Sequence, residues 1–127
     1  MGRVFKTRHF LRWMRKTELS DPALCQAVVE MKQGLIDADL GGGIVKKRLA
    51  LPGRGKSSGA RTLVATNRGN RWIFLFGFEK NDRANVTTQE LEALKKIASD
   101  LLKLTPKDLD VLVTQGELQE ICHDDQT

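Results

Sequence analysis

The stretch Arg71–Glu79, RWIFLFGFE, constrains the fold more than any other part of the chain. In an extended strand, alternate side chains point to opposite faces. That alternation predicts Trp72, Phe74, Phe76 and Phe78 on one face, and Ile73 and Leu75 on the other. Both faces are apolar, so the strand should be central in its sheet and covered on both sides. The turn cluster Asn67-Arg68-Gly69-Asn70 precedes it. Ala60–Thr66, before that turn, reads as a second strand, making an antiparallel hairpin. Ile44–Ala50 reads as a third strand of mixed character. Gly41-Gly42-Gly43 and the segment Pro52-Gly53-Arg54-Gly55-Lys56-Ser57-Ser58-Gly59 read as loops.

Helix signals flank these strands. Asp21 is a suitable N-cap and Pro22 a suitable first helical residue. Leu24, Ala27, Val28, Met31 and Leu35 follow a helical period, with Gly34 as a stop. A shorter helix is expected around Phe10–Lys16, contributing Trp13 and Met14. Thr87-Thr88-Gln89-Glu90 fits a capping box ahead of Leu91, Leu94, Ile97, Ala98 and Leu101. Thr105-Pro106 opens a further helix carrying Leu109, Leu112 and Val113. The order predicts an α+β fold, a small antiparallel sheet with helices packed on it.

A length of 127 residues fits one domain and excludes scaffolds that need about 250 residues. No run is long and apolar enough to span a membrane. Arg3, Lys6, Arg8, Arg12 and Arg15 interrupt the N-terminal apolar residues, so no signal peptide is visible. Cys25 and Cys122 cannot form a disulfide framework. They read as small buried hydrophobes of a reduced, cytoplasmic compartment.

The net charge of +5 conceals its distribution. Residues 1–16 carry net +6, and residues 17–43 carry −4. Residues 44–83 hold ten Lys/Arg against Glu79 and Asp82, a net of +8. Residues 84–127 carry −5. A strongly basic block between acidic ones suits a polyanion-binding surface, although a plain solvated face would have the same composition.

The usual catalytic groups are scarce. The two histidines, His9 and His123, lie near the ends and read as surface residues; there is no Tyr. Cys122-His123 lacks further ligands at zinc spacing, so neither metal nor cofactor is expected. Ala50–Ser57 imitates a phosphate-binding loop, but Ser58-Gly59 leads into a strand where that chemistry requires a helix. What remains is a cationic set: Lys46, Lys47, Arg48, Arg54, Lys56, Arg61, Lys80 and Arg83. Hairpin pairing brings Arg61 and Lys80 to the same end of the sheet. Arginine offers a bidentate fork to phosphate. A lysine crowded by other cations loses its proton more readily and becomes a usable base. Lys47, Lys56 and Lys80 are each candidates for that base.

Three segments carry a resemblance. Gly43-Ile44-Val45-Lys46-Lys47-Arg48, then Gly53-Arg54-Gly55-Lys56-Ser57-Ser58-Gly59-Ala60-Arg61, then Gly77-Phe78-Glu79-Lys80-Asn81-Asp82-Arg83-Ala84-Asn85 resemble the RelE/HigB toxins of bacterial type II toxin–antitoxin systems. The pattern is most similar to the HigB-like group and covers roughly residues 20–104. The resemblance implies the RelE/ParE-like toxin fold over residues 1–104, with 105–127 as a C-terminal helical extension packed on the same domain. It implies a ribosome-dependent endoribonuclease that cleaves translated mRNA, neutralised by a helix-turn-helix antitoxin. Lys56, Arg61, Lys80 and Arg83 match the family's catalytic basic positions. Lys46, Lys47, Arg48 and Arg54 match its RNA-binding ones. Asn81 stands where some relatives have a further arginine. Val86 lies near the position where several use Tyr or His. A non-catalytic RNA- or ribosome-binding protein and a gyrase-poisoning toxin of the same fold are the alternative readings.

Overall fold

The computed structural model describes residues 2–53 and 59–123. Loop residues 54–58, including Arg54 and Lys56, lie outside the described residues. The elements run β1 (Arg3–Thr7), α1 (Arg8–Met14), α2 (Asp21–Lys32), β2 (Ala38–Gly41), β3 (Ile44–Leu49), β4 (Ala60–Thr66), β5 (Arg71–Glu79), α3 (Thr88–Lys103), α4 (Pro106–Thr114) and β6 (Leu118–Ile121). No helix among the described residues is long and apolar enough to cross a membrane.

The strands form one six-stranded sheet in the order β2-β3-β4-β5-β1-β6. The α+β class and the antiparallel β4–β5 hairpin are as expected, and β5 is an interior strand. The sheet is not wholly antiparallel, because β1 pairs with β5 in parallel, Val4 opposite Trp72 and Lys6 opposite Phe74. The N-terminal strand and both edge strands escaped the sequence reading. β2 and β6 have only four residues each, too short for a clear alternation. The Gly41–Gly43 run is the tight β2–β3 connection, and all three glycines have positive φ. Within residues 105–127, α4 is followed by β6, which joins the sheet antiparallel to β1.

Each face of the sheet is covered. On one, Val4, Val45, Val64, Trp72 and Phe74 pack with Phe10 and Met14 of α1 and with Leu24, Val28 and Met31 of α2. On the other, Phe5, Ile44, Leu63, Ile73 and Leu75 pack with Leu94 and Ala98 of α3 and Leu109 of α4. We call these the α2 face and the α3 face. Helix entry is set by side-chain caps. Thr7 accepts from the Phe10 amide, and Thr87 and Thr105 each form a capping box, with Glu90 and Asp108. At α2 the cap is Ser20, one residue earlier than expected, which leaves Asp21 in the first turn. That helix ends at Lys32, so Leu35 falls beyond it and is exposed.

Two departures matter for function. First, β5 contains a bulge. Leu63 pairs with Phe76 but Val64 pairs with Phe74, so Leu75 is an extra residue in the strand. Trp72 and Phe74 keep to the α2 face as predicted. Phe76 and Phe78 are turned onto the α3 face instead. Gly77 then points to the α2 face, where a Cβ would lie 2.3 Å from the Trp13 ring. Second, Cys25 and Cys122 form a disulfide, contrary to the reading as separate reduced thiols. The partners are 97 residues apart, and they meet because β6 carries Cys122 back beside α2. Closing so long a loop contributes stability of about 2–4 kcal/mol.

The bulge yields a direct prediction. Gly77→Ala forces the added methyl into Trp13 and should destabilise the chain by about 1–3 kcal/mol in chemical denaturation. An unchanged midpoint and slope would mean that residue 77 does not face Trp13.

Candidate nucleic-acid interface

At the margin of the core on the α3 face, two cross-strand rows lie side by side. Lys46, Leu63 and Phe76 make one, and Arg48, Arg61 and Phe78 make the other. The bulge is what brings the phenylalanines into these rows. Arg61 and Phe78 form the floor, only 7% and 4% exposed, while Lys46 is half-buried and Arg48 exposed. Lys80 is exposed at the end of β5, its amide donating to the Gly59 carbonyl at 3.0 Å. The backbone thus confirms that the Arg61 and Lys80 ends are adjacent.

Arg83 completes this surface. Its guanidinium carbon lies 5.8 Å from the Phe76 ring centre and 5.7 Å from that of Phe78. Two of its nitrogens donate to the two oxygens of Glu90. That hydrogen-bonded pairing raises the Arg83 pKa and pulls the Glu90 carboxyl down to about 2, with the Thr87 amide assisting. The carboxylate therefore stays ionised at any physiological pH. The clamp is present above the ordinary glutamate range and is lost only as pH falls toward 2. An anionic ligand of Arg83 must compete with Glu90.

Not all of the basic block is available. Lys47 points to the α2 face, 4% exposed, with Nζ 2.8 Å from Glu30 and 2.9 Å from the Leu35 carbonyl. This corrects the expectation that it joins the RNA-binding set: one step along β3 reverses the face. Arg48 donates to Asp37 from its guanidinium at 3.0 Å and from its amide at 2.6 Å. Burial pushes the Asp37 carboxyl up, but these bonds and the nearby Arg48 and Lys47 charges outweigh it and lower the pKa. Arg68 pairs with Asp39. Arg71 donates to the carbonyls of Leu101, Leu102 and Leu104, closing the C-terminus of α3.

Sequence reasoning missed one neighbour of these rows. His9, in the first turn of α1, stacks on Phe76 with ring centres 5.6 Å apart and planes within 8°. Its place follows from the parallel β1–β5 pairing, since α1 begins directly after β1 and crosses β5 at the bulge. No spacing rule links positions 9 and 76; only recognition of Arg3–Thr7 as a strand could have suggested it.

Lys47 supplies the test that separates structure from binding. Glu30→Ala leaves a buried ammonium without its carboxylate and should cost about 3 kcal/mol by urea unfolding. A cost below about 0.5 kcal/mol, ordinary for a surface residue, would contradict the buried pairing.

The sheet and its helices agree with what comparison of the sequence gives. No curated protein matches the chain in a direct search. The family model described as the RelE toxin of the RelE/RelB toxin–antitoxin system matches residues 2–121. That span takes in β1 and β6 as well as the three motifs between residues 43 and 85. The chain belongs to the RelE toxin family, as the toxin component of a toxin–antitoxin system.

Proposed function

We propose that this toxin is a ribosome-dependent endoribonuclease that cuts translated mRNA on the α3 face of its sheet. The observation that carries the reading is the arrangement of Arg48, Arg61 and Phe78 in one row, with Arg83 laid over Phe76 and Phe78. Cations beside flat apolar rings suit single-stranded RNA. The cations take phosphates and the half-buried Phe76 ring offers a surface to a base, without demanding a sequence.

Cleavage would follow the ordinary course of RNA transesterification. A base removes the 2′-hydroxyl proton, and that oxygen bonds to the adjacent phosphorus. The bond to the 5′-oxygen breaks, leaving a 2′,3′-cyclic phosphate, and an acid protonates the departing oxygen. Arg61 and Arg83 stabilise the added negative charge on the phosphorane. Lys80 and Lys56 are the candidates for proton transfer. Lys47 is excluded by its burial against Glu30. Lys46, Arg48 and Arg54 bind the flanking phosphates. The partner antitoxin, of helix-turn-helix type, would neutralise the toxin; the HigB-like branch is the one this reading favours.

The experiment is induced expression followed by mapping of transcript 5′ ends, with and without the antitoxin. Cuts inside translated frames, suppressed by the antitoxin, are expected. Arg61→Ala should abolish both cutting and growth inhibition while circular dichroism shows the chain still folded. Undiminished cutting by that variant would overturn the site. DNA breaks with intact transcripts would mark a gyrase poison instead, and RNA binding without cuts would mark a non-catalytic binder.

A further inference from the structure

A cavity of about 530 Å³ opens beside this surface. Phe76 of β5 and His9 of α1 form one wall, and Leu94, Ile97, Leu112 and Leu118 supply the apolar lining. Glu90 also lies on its border, so the Arg83–Glu90 clamp separates the cavity from the row of Arg48, Arg61 and Phe78. The two sites share Phe76.

We propose that this cavity is a nucleobase subsite, taking one unstacked base of the RNA whose backbone runs along the cationic rows. The proposal rests on the nuclease reading for its substrate class and adds a binding role for His9. Three observations carry it. The wall is already a stack: His9 lies nearly parallel on Phe76, and Arg83 packs over the same Phe76 ring. Flat groups in series are what bases extend when they leave their own stack. The rim is polar and of both signs, with Arg8 paired to Glu117 at 3.0 Å and Glu90 held by Arg83, giving donors and acceptors at the edge of an apolar floor. The cavity also shares Phe76 with the row that holds Lys46, so a strand can place phosphate and base on either side of that ring. His9 is exposed, and Ile97 at the rim is 46% exposed, so both are reachable from solvent.

The test uses the full chain and a single-stranded RNA about eight nucleotides long carrying one 2-aminopurine, a base whose fluorescence is quenched by stacking. Native protein should quench it at low salt. His9→Ala and Ile97→Trp, the latter filling the cavity from its rim, should weaken the quenching titration by about tenfold. His9→Phe, which keeps a flat ring, should restore it. No quenching by the native chain overturns the proposal, as does an unchanged titration for Ile97→Trp. If Ile97→Trp loses antitoxin binding or self-association while its quenching is native, the cavity belongs to a protein partner and the proposal fails. Transcript mapping keeps the two readings apart. Native cutting by Ile97→Trp and His9→Ala, with Arg61→Ala inactive, sinks the subsite alone. Stacking that obeys the prediction in a chain that never cuts RNA sinks the nuclease alone.

Discussion

The single extra residue at Leu75 determines most of what is distinctive on the α3 face. A strand with uniform alternation would place all four aromatic residues of RWIFLFGFE under α1 and α2. The register shift between Leu63 and Val64 divides them. Trp72 and Phe74 stay in the core, whereas Phe76 and Phe78 cross to the side of Arg48 and Arg61. The shift also leaves Gly77 beneath Trp13, in the one place where any side chain would collide with the indole. Thr7, which caps α1, also donates to the Leu75 carbonyl at 3.5 Å. The bulge, the helix start and the aromatic surface are therefore mechanically connected, in keeping with the use of bulges to re-aim side chains next to functional sites.

Charge is redistributed by folding. The basic N-terminal block meets the acidic C-terminal one: Arg3 pairs with Glu120 and Asp110, and Arg8 with Glu117. Lys6 reaches from β1 to Asp21 at 2.7 Å, its side chain almost wholly buried. Much of the C-terminal acidity thus serves to hold β6 and α4 against β1 rather than to repel an anion. In the central block, Lys47, Arg68 and Arg71 are committed to Glu30, Asp39 and the end of α3. Arg48 and Arg83 are paired as well, with Asp37 and Glu90, and together with Lys46 and Lys80 they shape the local field that a polyanion meets.

What could be read from the sequence follows from the length and regularity of each signal. β4, β5 and the two long helices carry strong periods or capping boxes, and their bounds are nearly those expected. Arg61 and Lys80 were placed together by hairpin logic alone. β1 was hidden because Arg3 and Lys6 interrupt its apolar residues, although Lys6 is buried through its ion pair. The face of Phe76 and Phe78 was misassigned because a bulge depends on pairing partners and leaves no trace in alternation. Lys47 looked like a surface cation for a similar reason, since nothing local reveals that Glu30 lies beneath it. Long-range pairing also explains His9 and the Cys25–Cys122 bond, each formed by a strand too short or too polar to recognise.

The central claim is that RNA meets this protein on the α3 face at the Arg61 end of the sheet. Photocrosslinking of the toxin to ribosomes carrying translated mRNA, read by mass spectrometry of the modified peptides, tests it most directly. The account predicts crosslinks at Phe76 and along the segment from Lys80 to Arg83, with none on the exposed surface of α2. Crosslinks concentrated on α2 residues such as Val29, with the aromatic rows unmodified, would contradict it.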